Sequence, residues 1–213
     1  MQARLAPRPD TNRSAPPREG VNVIGVARTL GRGQTVCSEG EPAAHVYKLV
    51  SGAVRSLRLL GDGRRQIIDF YFAGDVFGVE IGADYRATAE TLGEAVLIVA
   101  RRATIAADPD SGARLWRHAD TELRRSQDHA FSLGRRSAAE RIARFLLDLS
   151  RRLEAGPRLT LPMSRQDIAD HLGLTIETVS RTLGQLQADG LIEVGGCRQL
   201  CLTRPAALAQ LCE

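Results

Sequence analysis

The chain has 213 residues, of which 25% are charged and 43% hydrophobic, with a formal net charge of +4. That length can hold one or two domains with proper cores, and the basic balance admits a nucleic-acid partner without requiring one. No run of about eighteen apolar residues is present, so no membrane-spanning helix is expected and a cytoplasmic location is.

Residues 1–20 carry Arg4, Arg8, Arg13 and Arg18 among Pro7, Pro9, Pro16 and Pro17, with no apolar stretch of the signal-peptide kind. They are expected to form a disordered arm. In a chain without an export signal, Cys37, Cys197, Cys201 and Cys212 are expected as thiols, and no second pair or nearby histidine completes a metal site with Cys197 and Cys201.

Over residues 21–107 turn signals recur at short intervals: Glu39-Gly-Glu-Pro42, Ser51-Gly52, Gly61-Asp-Gly63, Ala73-Gly-Asp75, Gly82-Ala-Asp84 and Leu92-Gly-Glu94. Branched and aromatic runs such as Val46-Tyr-Lys-Leu-Val50, Gln66-Ile-Ile-Asp-Phe-Tyr-Phe72 and Ala95-Val-Leu-Ile-Val99 lie between them. Many short, evenly spaced strands predict a small antiparallel barrel or jelly roll.

Residues 108–136 read as a long helix and hinge. Asp108-Pro109 supplies an N-cap and a proline at the first helical position. Trp116, Ala119, Leu123, Ser126, Ala130 and Leu133 then recur at alternating spacings of three and four, a seam over about 39 Å of helix that suits pairing with its own copy. The alternative is a helix lying on the barrel. Gly134 is expected to end it, and His118 and His129 to sit on its surface.

Residues 137–213 open on Ser137-Ala-Ala-Glu140, a capping box, followed by a helix burying Ile142, Phe145, Leu146, Leu149 and Leu153 and stopping at Gly156-Pro157. Ser164 caps a second helix with Asp167 in the weak capping-box position, and Ile168 and Leu172 give it an apolar stripe. Gly173 stops it. Thr175 caps a third helix with Val179, Leu183 and Leu186 inward and Glu177, Ser180, Arg181 and Gly184 outward. Small Ala169, Gly173 and Val179 suit two helices crossing near a right angle, a helix-turn-helix. Gly195-Gly196, between Ile192-Glu-Val194 and Arg198-Gln-Leu-Cys-Leu202, marks a tight hairpin and makes the unit a winged helix; a last short helix follows Pro205.

The outward face carries base-reading chemistry. Arginine can fork onto the O6/N7 edge of guanine, glutamate can accept from cytosine N4, and serine serves several bases, so Glu177, Ser180 and Arg181 are the base-reading candidates. A plain surface ion pair between Glu177 and Arg181 is the alternative. Ser164, Arg165 and Gln166, with Thr175 and Thr178, open the two helices and are candidates for phosphate contacts that fix register. His45, His118, His129 and His171 have no pairing that spacing marks as catalytic, so no enzyme is expected.

Barrel, long helix, hinge and winged helix-turn-helix follow in an order that resembles the FNR/CRP family of bacterial transcription regulators, from residue 21 to the end. Glu39-Gly40, Tyr47-Lys-Leu-Val-Ser-Gly-Ala-Val54, Gly74-Asp-Val-Phe-Gly78, Ala139-Glu-Arg-Ile-Ala-Arg-Phe-Leu-Leu147 and Glu177-Thr-Val-Ser-Arg181 carry the likeness. The resemblance implies an α+β chain: an N-terminal antiparallel β jelly roll of the cyclic-nucleotide-binding kind, a dimerisation helix and a C-terminal winged helix-turn-helix domain. It also implies a homodimer binding palindromic double-stranded DNA and RNA polymerase, the latter near Gly61-Asp-Gly63.

Glu177, Ser180 and Arg181 are similar to the E-x-x-S-R pattern of the FNR side, which implies a TTGAT-N4-ATCAA palindrome; the cyclic-AMP side would have arginine at position 176 and glycine at 180, where Ile176 and Ser180 stand. Gly82-Ala-Asp-Tyr-Arg-Ala-Thr-Ala-Glu90 is most similar to FixK members, activators of microaerobic respiration and nitrogen-fixation genes. Residues 1–36 hold no cysteine, so the oxygen-sensing cluster of some relatives is not expected. A nucleotide site would need glutamate directly after Gly78 and an Arg-Ser pair, but Val79 and Arg86-Ala87 stand there. No cofactor is therefore expected, with a regulator gated by nucleotide, haem or a metabolite as the alternative. The likeness further implies that Cys197 and Cys201, on or beside the wing, can respond to oxidation, where added negative charge would repel phosphate; thiols serving as small hydrophobes are the other reading.

Overall fold

A computed structural model describes residues 23–106 and 109–212, without the side chains of residues 106–116. The expected arm at residues 1–20, the cap Asp108 and the side chain of Trp116 lie outside what is described. Strands β1 (Val26–Leu30), β2 (Thr35–Cys37), β3 (His45–Ser51), β4 (Ala53–Leu59), β5 (Arg65–Phe72), β6 (Val76–Phe77), β7 (Thr88–Thr91) and β8 (Ala95–Arg101) make the first half. They form two four-stranded antiparallel sheets, ordered β1-β8-β3-β6 and β2-β7-β4-β5, and the six turn segments fall where the chain passes between strands. Leu49, Val54, Ile67 and Leu97 are fully buried between or behind these sheets, each burial contributing about 1.5–3 kcal/mol. The corner between β3 and β4 needs glycine: Gly52 has φ 89°, and a Cβ there would stand 2.4 Å from the Glu94 carbonyl oxygen.

A short helix not foreseen from the sequence, α1 (Arg102–Ala106), leads into the rod α2 (Pro109–Arg135). The rod begins at the expected proline but runs through Gly134, which keeps ordinary helical geometry, and ends one residue later. Two stripes run along it. His118, Glu122, Arg125, His129 and Ser132, spaced four and three, turn toward the chain's own body, while Leu123, Ser126, Ala130 and Phe131 face outward. His118 and His129 are thus partly buried rather than on the surface, because the rod has a second heptad stripe that its apolar seam conceals.

The second half holds α3 (Ala138–Leu153), β9 (Arg158–Thr160), α4 (Arg165–Leu172), α5 (Ile176–Ala188), β10 (Ile192–Val194), β11 (Gln199–Leu202) and α6 (Pro205–Gln210). Ser137 and Glu140 form the reciprocal capping box that starts α3. Its end comes at Leu153, with Glu154 in the left-handed region at φ 50°, ahead of Gly156-Pro157; Phe145 and Leu153 are only half-buried. Strands β9, β10 and β11 make one sheet in the order β10-β11-β9. The wing turn is longer than a Gly-Gly hairpin: Gly195, Gly196, Cys197 and Arg198 all lie between the strands, closed by the Gly195 N–H donating to the Gln199 carbonyl at 3.0 Å.

The architecture is α+β, an antiparallel β-roll followed by helices and a helix-turn-helix unit. One apolar cluster crosses from the roll into the second half, joining Leu57, Ile67 and Phe70 to Ile142, Leu146, Ile168, Leu172 and Val179. At the joint between α2 and α3 a single guanidinium, that of Arg141, donates to the carbonyls of Leu133 (2.7 Å), Arg136 (2.9 Å) and Leu172 (3.1 Å). No helix among the described residues is long and apolar enough to cross a membrane.

Candidate nucleic-acid interface

Helix α4 starts where Ser164 turns extended. Its Oγ accepts from the Asp167 N–H at 3.1 Å, and its own N–H donates to Asp167 Oδ2 at 2.9 Å, so the aspartate completes a full capping box. Fully buried Ala169 lets α5 approach, Gly173 ends α4 at φ 62°, and Thr175 caps α5 by accepting from the Thr178 N–H at 3.2 Å. Val179, also fully buried, fills the angle between the two helices, with Leu183 and Leu186 below it.

This packing leaves the opposite side of α5 open. Glu177, Arg181 and Gly184 are exposed and Ser180 is half-buried. No ion pair joins Glu177 to Arg181 among the described residues, so both ends remain available. The Glu177 carboxyl lies below the ordinary glutamate range, held there by its own backbone N–H and the Thr175 hydroxyl, and is anionic at neutral pH. Arg165 reaches across from α4, with Nη1 3.5 Å from Ser180 Oγ. Gln166 is exposed and donates to Asp170 Oδ1 at 2.6 Å, and the hydroxyls of Thr175 and Thr178 lie 3.1 Å apart. Of the residues singled out, Arg165 of α4 and Ser180 of α5 are brought together across the two helices, while Thr175 and Thr178 stand at the opening of α5.

The wing is fastened to this unit by the Val194 N–H, which donates to Gln187 Oε1 of α5 at 3.1 Å. Cys197 is exposed in the wing loop, and Cys201 is half-buried on β11, opposite Glu193 and Arg158. On the rod, Leu123 is 57% exposed, Ser126 and Ala130 are exposed, and Ala119 and Leu133 are half-buried. Phe131, 59% exposed on the same rod, escaped the sequence seam because it falls one residue off the three-four period, although it stands eight residues, two i,i+4 steps, beyond Leu123.

Asp167 does more than cap. Its Oδ1 accepts from Arg55 Nη1 at 2.6 Å and Arg65 Nη2 at 2.7 Å, both on the roll, while Arg65 Nε donates to Asp170 Oδ2 at 2.5 Å and Arg55 pairs with Glu90 at 2.7 Å. Burial alone would push the Asp167 carboxyl up. The Ser164 backbone and hydroxyl donors, with both arginines, outweigh this and hold it below the ordinary aspartate range. No local sequence signal could have shown this network, since its partners lie 102 and 112 positions apart.

Aromatic side chains pack inside the roll. Tyr47 stacks on Phe77 at 5.3 Å and Tyr71 on the same ring at 4.8 Å, filling the interior. The Tyr85 hydroxyl donates to the His45 carbonyl at 2.7 Å. Glu80 and Arg86, the carboxylate and guanidinium nearest in sequence to those a ribose and phosphate require, are bonded to each other at 2.8 Å. A separate cleft of about 370 Å³ between β5, α2 and α3 is lined by charges already paired, among them Asp69 with Arg152, Glu122 with Arg125 and Asp128 with Arg144.

Comparison with known proteins agrees with this geometry. Residues 140–211 match the Crp-like helix-turn-helix domain family, and residues 27–107 match the cyclic nucleotide-binding domain family. The chain is 43% identical over 207 residues to the nitrogen fixation regulation protein FixK of Azorhizobium caulinodans, covering 93% of this chain and 84% of that one. It is 42% identical to FixK of Rhizobium meliloti, covering 86% of each. Among solved structures, FixK2 from Bradyrhizobium japonicum superposes with a TM-score of 0.85 at 41% identity, covering 89% of this chain and 98% of that one. With both halves matched and such relatives along most of its length, the chain belongs to the CRP/FNR family of transcription regulators, as a FixK-like, DNA-binding member rather than an enzyme.

Proposed function

We propose that the protein is a cytoplasmic, homodimeric transcriptional activator that binds a TTGAT-N4-ATCAA-type palindrome, recruits RNA polymerase and controls microaerobic respiration and nitrogen-fixation genes. Four segments divide the work: the arm at 1–20, the roll at 21–107, the dimerisation helix and hinge at 108–136, and the DNA-binding domain at 137–213. The observation that carries the reading is the open face of α5, where Glu177, Ser180 and Arg181 stand together without pairing among themselves. Two such helices enter successive major grooves, and Ser164, Arg165, Gln166, Thr175 and Thr178 hold phosphates that fix their register.

Arg181→Ala is expected to cost about 1–3 kcal/mol per half-site and to relax selectivity at one guanine, whereas Arg165→Ala weakens every sequence alike and lowers the salt slope by about one. Titrations against a panel of single-base variants read this directly. Equal losses on every variant for Arg181→Ala would refute the base-reading assignment.

Dimerisation uses the rod seam of Trp116, Ala119, Leu123, Ser126, Ala130 and Leu133. Leu123→Glu, which sets two like charges against each other at the centre of that seam, is expected to give monomers in sedimentation and to abolish binding of the palindrome. A dimer of unchanged affinity would remove the seam. The exposed hairpin around Gly61-Asp-Gly63 is the surface offered to RNA polymerase. Oxidation of Cys197 or Cys201 by two equivalents of peroxide, each giving one oxygen atom to the sulfur and leaving as water, makes a sulfinate that adds charge to the wing and weakens DNA binding. The filled roll interior supports effector-independent action over a nucleotide-gated one.

A further inference from the structure

The fastening of the DNA-binding unit to the roll has a consequence for which operators the dimer accepts. We infer that Arg55 and Arg65, through Asp167 and Asp170, fix the rotation and separation of the two recognition helices and so determine half-site spacing. This rests on the homodimeric reading above.

Arg65 forks onto two carboxylates one helical turn apart on α4, at 2.7 and 2.5 Å, and Arg55 bridges Asp167 to Glu90 on the roll. Paired guanidiniums of this kind tolerate little change in angle. Gln66 adds a bond from Nε2 to the His171 carbonyl at 3.3 Å. On the far side of α3, Arg152 pairs with Asp69 and Asp75 of the roll and lies 4.8 Å over the Phe72 ring. The winged helix is thus held at two separated points with an apolar cluster between them. Because Asp167 also completes the capping box that starts α4, and Gly173 passes directly from α4 into α5, the roll sets the direction of the recognition helix.

Changing the operator spacer by one base pair moves one half-site by about 3.4 Å and turns it by about 34°, given about 10.5 base pairs per turn. A clamped dimer cannot follow that turn without breaking the forks. A dimer without them can, pivoting at the joint between α2 and α3.

The test uses the full-length protein and three duplexes with N3, N4 and N5 spacers, together with a single half-site duplex. Wild type is expected to prefer N4 by about tenfold or more. In Arg55→Gln/Arg65→Gln the preference is expected to shrink to about threefold or less while half-site affinity stays unchanged, an effect that a merely stabilising contact would not produce. Arg65→Asp combined with Asp170→Arg is expected to recover spacing selectivity relative to Arg65→Asp alone. A double glutamine variant that retains the wild-type preference overturns the inference. Should that variant be unfolded by circular dichroism, Arg65→Gln alone decides by the same two outcomes. Wild type ignoring all three palindromes would overturn the proposed function and this inference with it, whereas wild-type discrimination unaltered by the glutamines would overturn this inference alone.

Discussion

Asp167→Ala is expected to lower the free energy of unfolding by about 3 kcal/mol, close to the range for breaking a buried ion pair from one side. The carboxylate is 4% exposed and receives Arg55, Arg65, the Ser164 N–H and the Ser164 hydroxyl. Removal leaves two guanidiniums crowded together, at 17% and 27% side-chain exposure, with Glu90 and Asp170 as their remaining partners. Partial access to water trims the loss from its upper limit, and the damaged cap adds about 1 kcal/mol. At this chain length the shift corresponds to roughly 6–12 °C in Tm. Asp170→Ala, which removes only one fork, should cost about a third as much. Urea titrations of both variants at one pH measure the difference, and a loss below about 1 kcal/mol for Asp167→Ala would show that the arginines find equal company elsewhere.

Acid is expected to loosen the same junction through histidine. His171 is buried with its ring 4.2 Å from that of His129 and 14° from parallel, and Phe70 and Phe145 stand edge-on or tilted around it. Its Nδ1 meets the Ile67 carbonyl at 3.2 Å. Burial, then the neighbouring His129, push the His171 pKa down from 6.5 to about 3, against the upward pull of the Ile67 carbonyl; burial also lowers His129. The neutral ring is therefore the folded form. The stabilisation is complete above the unfolded pKa of 6.5 and is lost as pH falls from there toward 3, at about 1.36 kcal/mol per pH unit for one proton. At pH 5 wild type should have lost about 2 kcal/mol on this account.

His171→Phe gives up the bond to Ile67, at about 1 kcal/mol, but takes up no proton. Its stability should lie below wild type at pH 8 and above it near pH 5. Carboxylates elsewhere titrate equally in both proteins, so the difference between the two curves isolates the stacked His129–His171 pair. Parallel curves across that range would mean that His171 charges without penalty.

Local chemistry made much of this molecule legible in advance. The capping residues Ser137, Ser164 and Thr175, the stop at Gly173 and the turn residues of the roll act within four positions of themselves, so spacing alone locates the elements they bound. The open face of α5 was legible for the same reason, since Val179, Leu183 and Leu186 declare its inner side. What could not be read depends on distant pairing. Arg55 and Arg65 look like ordinary strand arginines until the fold brings α4 against them, and His129 looks like a surface residue until α2 proves to have a second contact stripe. Gly134 and Gly195-Gly196 misled differently. A glycine permits a helix end or a tight turn without compelling one, and helical bonds through Gly134 and a longer wing loop prevailed.

The three carbonyls gathered by Arg141 belong to the end of α2, the link to α3 and the end of α4. Helix ends ordinarily leave such oxygens to water, where they can turn freely. Collecting them on one flat cation gives the elbow a shared centre, so a change of angle between α2 and α3 swings all three segments about the Arg141 guanidinium instead of letting each part from the others.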